Sequence, residues 1–240
     1  MPQHTVVTSR RQRLRETTHD EIKSTARSAL IAAGPDGISL RAIARAMGMT
    51  APALYRYFGS REELLDELIA DFYDEVCAAM EHARDAVPLE QTERRLPVVS
   101  RAFRTWALDH PREFGLVFGS PLPGYAEPAE GRTAEAHQRF GDIFFGLFVE
   151  LWTRRPFPVP ADGDLEPRLV EQLAAWLPED APLPIGAVAV FLQCWVRLYG
   201  AVTTEVFGHL AWALSDGDAL FERELVLLGD LLGLTGADRH

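Results

Sequence analysis

ISLRAIARAMGMTAPALYRYFGSREELL, residues Ile38 to Leu65, decides how the rest of the chain is read. Leu40, Ile43, Ala44 and Met47 fall at helical spacing and form one apolar stripe. Ser39 precedes the stripe, where a hydroxyl accepting a backbone N–H caps a helix. Gly48 stands where a left-handed residue ends one. Thr50 suits the cap of a second helix, and Pro52 is tolerated in its first turn, where the missing N–H has no helical partner. Leu54 and Phe58 lie on its inward side, and Gly59 closes it. Ser60 and Glu63 form a capping box ahead of the apolar positions Leu64, Leu65, Leu68, Ile69 and Phe72. Two short helices around a glycine-containing turn, followed by the start of a long helix, make a helix-turn-helix pattern.

With Leu54 and Phe58 inward, Thr50, Ala51, Ala53, Tyr55, Arg56 and Tyr57 remain for the outer and N-terminal surface of the second helix. In such motifs that surface meets base edges in the major groove. Small residues let the backbone approach closely. Tyrosine hydroxyls and Arg61 suit phosphate oxygens, and Arg41 suits a guanine or a phosphate. Each tyrosine alone also fits a second role, closing a small three-helix core. Spacing, turn and caps taken together favour the DNA-facing one.

Charge divides along the same line. Residues 1–60 hold nine Lys or Arg and four acids, so this segment is about +5. The chain carries −11, which leaves about −16 on residues 61–240. A basic end on an acidic body binds a polyanion with one end only. Arg10, Arg11, Arg13 and Arg15 sit in an expected flexible arm over residues 1–16, suited to a neighbouring minor groove or backbone.

GMTAPALYRYFGSREELL resembles the signature of TetR-family transcriptional regulators, and Arg10 to Phe72 is similar to their DNA-binding domain throughout. The resemblance implies an all-α homodimer, with an N-terminal three-helix domain over residues 1–60. A connecting helix joins it to a helical ligand-binding and dimerisation domain over 61–240. It carries DNA contacts onto Ser39, Leu40 and Arg41, onto Thr50, Ala51, Pro52, Ala53, Tyr55, Arg56 and Tyr57, and onto Arg61. Ala51 and Ala53 stand where relatives often place polar base readers, so direct readout rests more on Arg41, Thr50 and Arg56.

At 240 residues and 47% hydrophobic, the chain can bury one or two substantial cores. No uncharged apolar run of 18 residues exists, so no membrane span is expected. Met1 to Asp20 is polar and Arg-rich, unlike a secretory leader, and the expected location is the cytoplasm. Cys77 and Cys194 lie far apart in helical patterns and are read as buried thiols. Histidines 4, 19, 82, 110, 137, 209 and 240 are scattered, with no metal-ligand spacing, and no Gly-rich phosphate loop follows a strand. Neither an enzyme nor a bound metal or cofactor is expected.

Beyond residue 60 the pattern is helical, broken at Pro and Gly clusters. Helices are expected at about 61–86, 90–109, 112–118, 133–154, 168–177, 185–210 and 218–234, with loops at 119–131 and 156–167. Phe140, Phe144 and Phe148 recur every four residues, near Trp152. Trp106, Phe114, Phe118, Trp176, Trp195 and Tyr199 are expected to converge on them, making a partly empty apolar pocket. Arg104, His137, Gln193, Arg197 and Tyr199 are polar members able to orient a ligand there. Trp195 to Gly200, with Trp106 to Pro111, resembles the C-terminal domain of the Trp-His-Gly subgroup of the same family, with Tyr199 where His is typical.

The last two helices carry more apolar surface than one outer layer needs. Phe191, Val202 and Val206 lie on the first, with Leu220, Phe221, Leu225, Leu228 and Leu232 on the second. Two copies are expected to meet there as a four-helix bundle on a near-palindromic operator of double-stranded DNA. The expected function is a repressor released from its operator by a small apolar or aromatic effector. A constitutive or partner-controlled DNA-binding protein is the alternative.

Overall fold

A computed structural model of the chain describes residues 10–126, 128–178 and 181–234. Ten α-helices follow one another among these residues, with no strand. They are α1 (Arg10–Ala33), α2 (Leu40–Ala46), α3 (Ala51–Leu54), α4 (Arg61–Asp85), α5 (Thr92–Asp109), α6 (Pro111–Phe118), α7 (Arg132–Arg154), α8 (Pro167–Trp176), α9 (Ile185–Val206) and α10 (Asp218–Leu231). Helix ends agree with the sequence pattern to within a few residues because Pro and Gly mark them. The main difference is at the start. Arg10 to Glu16, expected in a flexible arm, form the first turns of α1. Arginine and glutamine are good helix formers, and no Gly or Pro interrupts the run. The remaining arm residues, 1–9, lie outside the described residues.

Two compact units form. Among the described residues, the first lies within Met1–Tyr73 and Arg112–His137, the second within Asp74–Pro111 and Gln138–His240. The division between these units falls inside α4. In the first unit α1 buries Ile22, Ala26 and Leu30 at four-residue intervals. They pack in a core with Ile38, Leu40, Ile43, Leu54, Phe58, Leu64, Leu65, Leu68 and Phe72, all buried. The start of α4 is thus part of this core.

In the second unit α9 supplies Ala187, Val188, Ala189 and Val190 to a core with Phe148, Leu151, Phe157, Leu173, Leu183 and Leu232. Gly186 sits so close to the carbonyl of Pro160 that an added Cβ would lie 2.2 Å from it, which explains a glycine at the start of this helix. By length and composition alone α9 is apolar enough to cross a membrane, although Arg197 and Glu205 interrupt it. The same composition arises in a core helix, and Gly186 to Val190, Leu198 and Val202 are buried on it.

Candidate nucleic-acid interface and effector cavity

The turn of the helix-turn-helix is built by backbone geometry. Gly48 has φ 67°, the left-handed region that glycine enters without penalty. Met49 N–H donates to the Ala44 carbonyl at 2.8 Å and Gly48 N–H to the Arg45 carbonyl at 3.2 Å, closing α2 in a Schellman motif. α3 is a single turn. It continues to Phe58 through tightened bonds, such as Tyr57 N–H to the Leu54 carbonyl at 2.8 Å.

Ser39 and Thr50 occupy the cap positions with extended backbone, but neither side chain makes the cap hydrogen bond. Both are exposed, leaving their hydroxyls available to a phosphate. The box at the start of α4 does form: Glu63 N–H donates to Ser60 Oγ at 3.0 Å. Its reciprocal arm shifts by one residue, with Gly59 N–H donating to Glu63 Oε2.

Arg41, Pro52, Tyr55 and Arg56 are exposed, and Ala51, Ala53 and Tyr57 are half-buried. Arg45 is exposed as well, one turn beyond Arg41 on α2, and joins this surface. The four-residue spacing of the two arginines was the signal for it. Two of the expected residues turn their side chains inward. Leu40 is buried, since its apolar side chain belongs to the α2 stripe that packs on α1. Arg61 turns back into the fold. Its Nε donates to the Ile38 carbonyl at 2.9 Å and its Nη2 to the Pro35 carbonyl at 2.8 Å, fastening the α1–α2 connection to α4.

In the second unit a cavity of about 110 Å³ opens between α5, α7, α9 and α10. Phe144, Phe148, Phe191 and Trp195 wall it with Leu96, Leu198, Leu225, Leu228 and Leu232. Its polar members are Glu93, Ser100, Arg101, Cys194 and Glu222. Arg101 Nε and Nη2 donate to the two carboxylate oxygens of Glu222, each at 2.7 Å. This fork raises the pKa of Arg101 and lowers that of Glu222.

Of the expected pocket residues, Phe144, Phe148 and Trp195 line this cavity. Phe140 lies behind them, with its ring 5.6 Å from that of Trp195, and Tyr199 stacks on Trp195 at 5.7 Å. The others go elsewhere. Phe114 and Phe118 belong to the first unit, packed on each other at 5.0 Å. Trp106 is buried beside His110, and Trp152 meets Phe157 edge-on. Trp176 is 56% exposed, and Gln193 points to solvent. Arg104 is engaged by Glu205 and Asp218, Arg197 by Glu224, and His137 stacks on Tyr73.

The expected dimer residues are also redistributed. Phe191, Leu225, Leu228 and Leu232 line the cavity, and Val202 and Phe221 are buried in the chain's own core. Val206 is half-buried, and Leu220 stays 39% exposed. The apolar stripe of α10 faces α5 and α9, so most of it is used up within the chain.

Burial pushes both thiols up to about 12. At neutral pH they are protonated, so a disulfide-exchange reagent at pH 7.5 is expected to label the native protein far more slowly than the unfolded chain. The sign with pH follows. Because the folded values exceed those of the unfolded chain, the native state binds more protons above about pH 9, and stability falls as pH rises from there. Equal labelling of native and unfolded protein would contradict this burial.

Comparison with known proteins agrees with this architecture. Residues 22–68 match the family model for bacterial regulatory proteins of the tetR family, and residues 96–228 match that for the tetracyclin repressor-like C-terminal domain. The chain is 31% identical over 223 residues to the HTH-type transcriptional regulator Rv1816 of Mycobacterium tuberculosis strain H37Rv, covering 91% of this chain and 94% of that protein. The corresponding regulator Mb1846 of Mycobacterium bovis matches equally. Among solved structures, the regulatory protein SCO4313 is 32% identical with a TM-score of 0.73, over 94% of this chain and 100% of that one. RolR, solved with resorcinol, shares the fold at 16% identity and a TM-score of 0.51, over 94% of this chain and 92% of that one. The family and the two mycobacterial relatives are regulators of transcription, not enzymes, and the chain with its helix-turn-helix belongs to the TetR family of bacterial transcriptional regulators.

Proposed function

We propose that the protein is a ligand-responsive repressor that binds a near-palindromic operator as a homodimer in the cytoplasm. Double-stranded DNA is read by Arg41, Thr50 and Arg56 and gripped at its phosphates by Ser39, Arg45, Tyr55 and Tyr57. Ala51, Pro52 and Ala53 let the backbone come close. The observation that carries the release mechanism is the aromatic-walled cavity within the second unit. α4 contributes to both units, so a ligand that changes how its second half packs alters the head by covalent continuity. Such a ligand acts only through its preference for the state with low DNA affinity. A 10⁴-fold preference corresponds to about 5.5 kcal/mol. That RolR was solved with resorcinol favours a small aromatic-compatible effector here.

The second copy docks on the outward side of α9 and α10. Val196 is 66% exposed and Phe207 41% exposed. Three helical turns separate them, which puts them on one side of the helix, and Leu220 is an exposed apolar residue of α10.

A gel shift with the gene's own upstream DNA at two salt concentrations tests the DNA-binding part. The double substitution Arg41→Ala with Tyr55→Ala is expected to weaken operator binding on the order of a hundredfold, about 3 kcal/mol, with the dimer unchanged by size-exclusion chromatography. Undiminished binding would refute the assigned surface. Operator affinity insensitive to every cavity ligand would leave a constitutive regulator.

A further inference from the structure

The polar atoms around the cavity are unbalanced in one direction. Three charged side chains line it: Glu93, Arg101 and Glu222. Arg101 and Glu222 neutralise each other through their two-bond fork. Glu93, half-buried in the first turn of α5, makes no side-chain hydrogen bond or ion pair among the described residues.

Donors are scarce as well. The Ser100 hydroxyl already donates to the Leu96 carbonyl at 2.9 Å. Pro97, itself in the lining and inside α5, has no N–H to give to the Glu93 carbonyl one turn earlier. The Glu93 carboxylate thus has no side-chain partner among the described residues, and its carbonyl receives no N–H from residue 97.

An anionic ligand would have to displace Glu222 from Arg101, leaving three negative groups to share one guanidinium. A cation meets an uncompensated carboxylate and a lining that includes Phe144, Phe148, Phe191 and Trp195, and aromatic faces attract positive charge.

We propose that the cavity selects amphiphilic organic cations, with the apolar body among the rings and leucines and a protonated amine on Glu93. This rests on the reading that the cavity is the effector site. An ammonium group, with three N–H donors and one charge, meets the carboxylate and has donors left for the carbonyl. Glu93 is then the specificity-determining residue, and the Arg101–Glu222 pair closes the rim and rejects acids.

Decylammonium, decanol and decanoate share one tail and differ in head group. Their binding to the full-length protein is measured by titration calorimetry below micelle-forming concentrations. Decylammonium is expected to bind at least tenfold more tightly than decanol, and decanoate more weakly than both. In Glu93→Gln the advantage of the amine over the alcohol should vanish while decanol affinity stays unchanged, which shows the cavity intact. Leu225→Trp, which fills the space, should abolish binding of all three.

Equal affinities for the three heads, tightest binding of decanoate, absence of binding, or an amine preference that survives Glu93→Gln would each overturn the proposal. The same compounds are then added to the protein–operator complex. Amine-selective binding that leaves operator affinity unchanged supports the charge selectivity and removes the effector role. Release by decanol as readily as by decylammonium keeps the effector role and removes the charge selectivity.

Discussion

Replacing Phe58 by alanine is expected to cost about 3–5 kcal/mol, a large share of the roughly 5–15 kcal/mol that keeps an ordinary domain folded. Phe58 is fully buried, and its ring stacks on His19 of α1 at 4.5 Å. It is the last inward residue of the helix-turn-helix and sits beside Leu54, Leu64 and Leu65, all with no exposed surface. The ring bridges the end of the helix-turn-helix to α1, so its loss opens a cavity between two packed segments. Urea unfolding followed by circular dichroism measures the loss, with operator binding as a second readout. Phe58→Leu keeps most of the volume and is expected to cost less than half as much while retaining DNA binding. An alanine variant that unfolds at the wild-type urea concentration would show that the ring is not part of the head's core.

The second large effect lies at Arg104. Its Nε donates to Glu205 Oε2 at 2.7 Å and its Nη2 to Glu205 Oε1 and to Asp218 Oδ1. Its guanidinium lies 4.9 Å from the ring centre of Phe221. Arg104 and Glu205 keep only 14% and 16% of their side-chain surface in water. Gly217 provides the room, since a Cβ there would stand 2.3 Å from Glu205 Oε1. The fork raises the pKa of Arg104, with the hydrogen bonds to Glu205 as the main cause.

Arg104→Ala strands the Glu205 carboxylate in this largely dry setting and is expected to cost about 2–3 kcal/mol. Asp218 is mostly exposed and contributes little to that figure. If the stranded charge is the cause, Arg104→Met combined with Glu205→Leu should recover most of the loss, because two apolar groups of similar volume need no partner. A double variant as unstable as Arg104→Ala would instead assign the loss to packing on Phe221. Guanidinium denaturation midpoints separate the two outcomes.

Much of the reading head was legible because its signals are local. Gly48 needs a left-handed backbone whatever surrounds it, and Ser60 with Glu63 caps α4 within four residues. The apolar spacing of Leu40, Ile43, Leu54 and Phe58 names an inward face without saying what it meets. Arg61 escaped the same reasoning. An arginine at the start of a helix looks equally suited to a phosphate and to two backbone carbonyls more than twenty residues away in the chain, and only the folded path of Pro35 to Ile38 brings those carbonyls within reach.

The body shows where such reasoning ends. Aromatic rings at helical spacing mark a packed face, and Phe144, Phe148 and Trp195 wall the cavity. Phe114 and Phe118 carry the same mark and lie in the other unit. Leu225, Leu228 and Leu232 carry the stripe expected of a subunit interface, yet they face the chain's own cavity. The Glu93 carboxylate gives no sequence signal beyond an acid in a first turn. Its standing without a partner beside Pro97 depends on which helices surround it.

From its sequence alone this chain determined its helices, its glycine turn, its basic reading head and its family resemblance, because each depends on residues a few positions apart or on net charge. Tertiary structure decided which side of each helix meets protein, cavity or solvent. A helical repeat defines an apolar face but leaves its neighbour open, and that neighbour is chosen only when distant segments pack together.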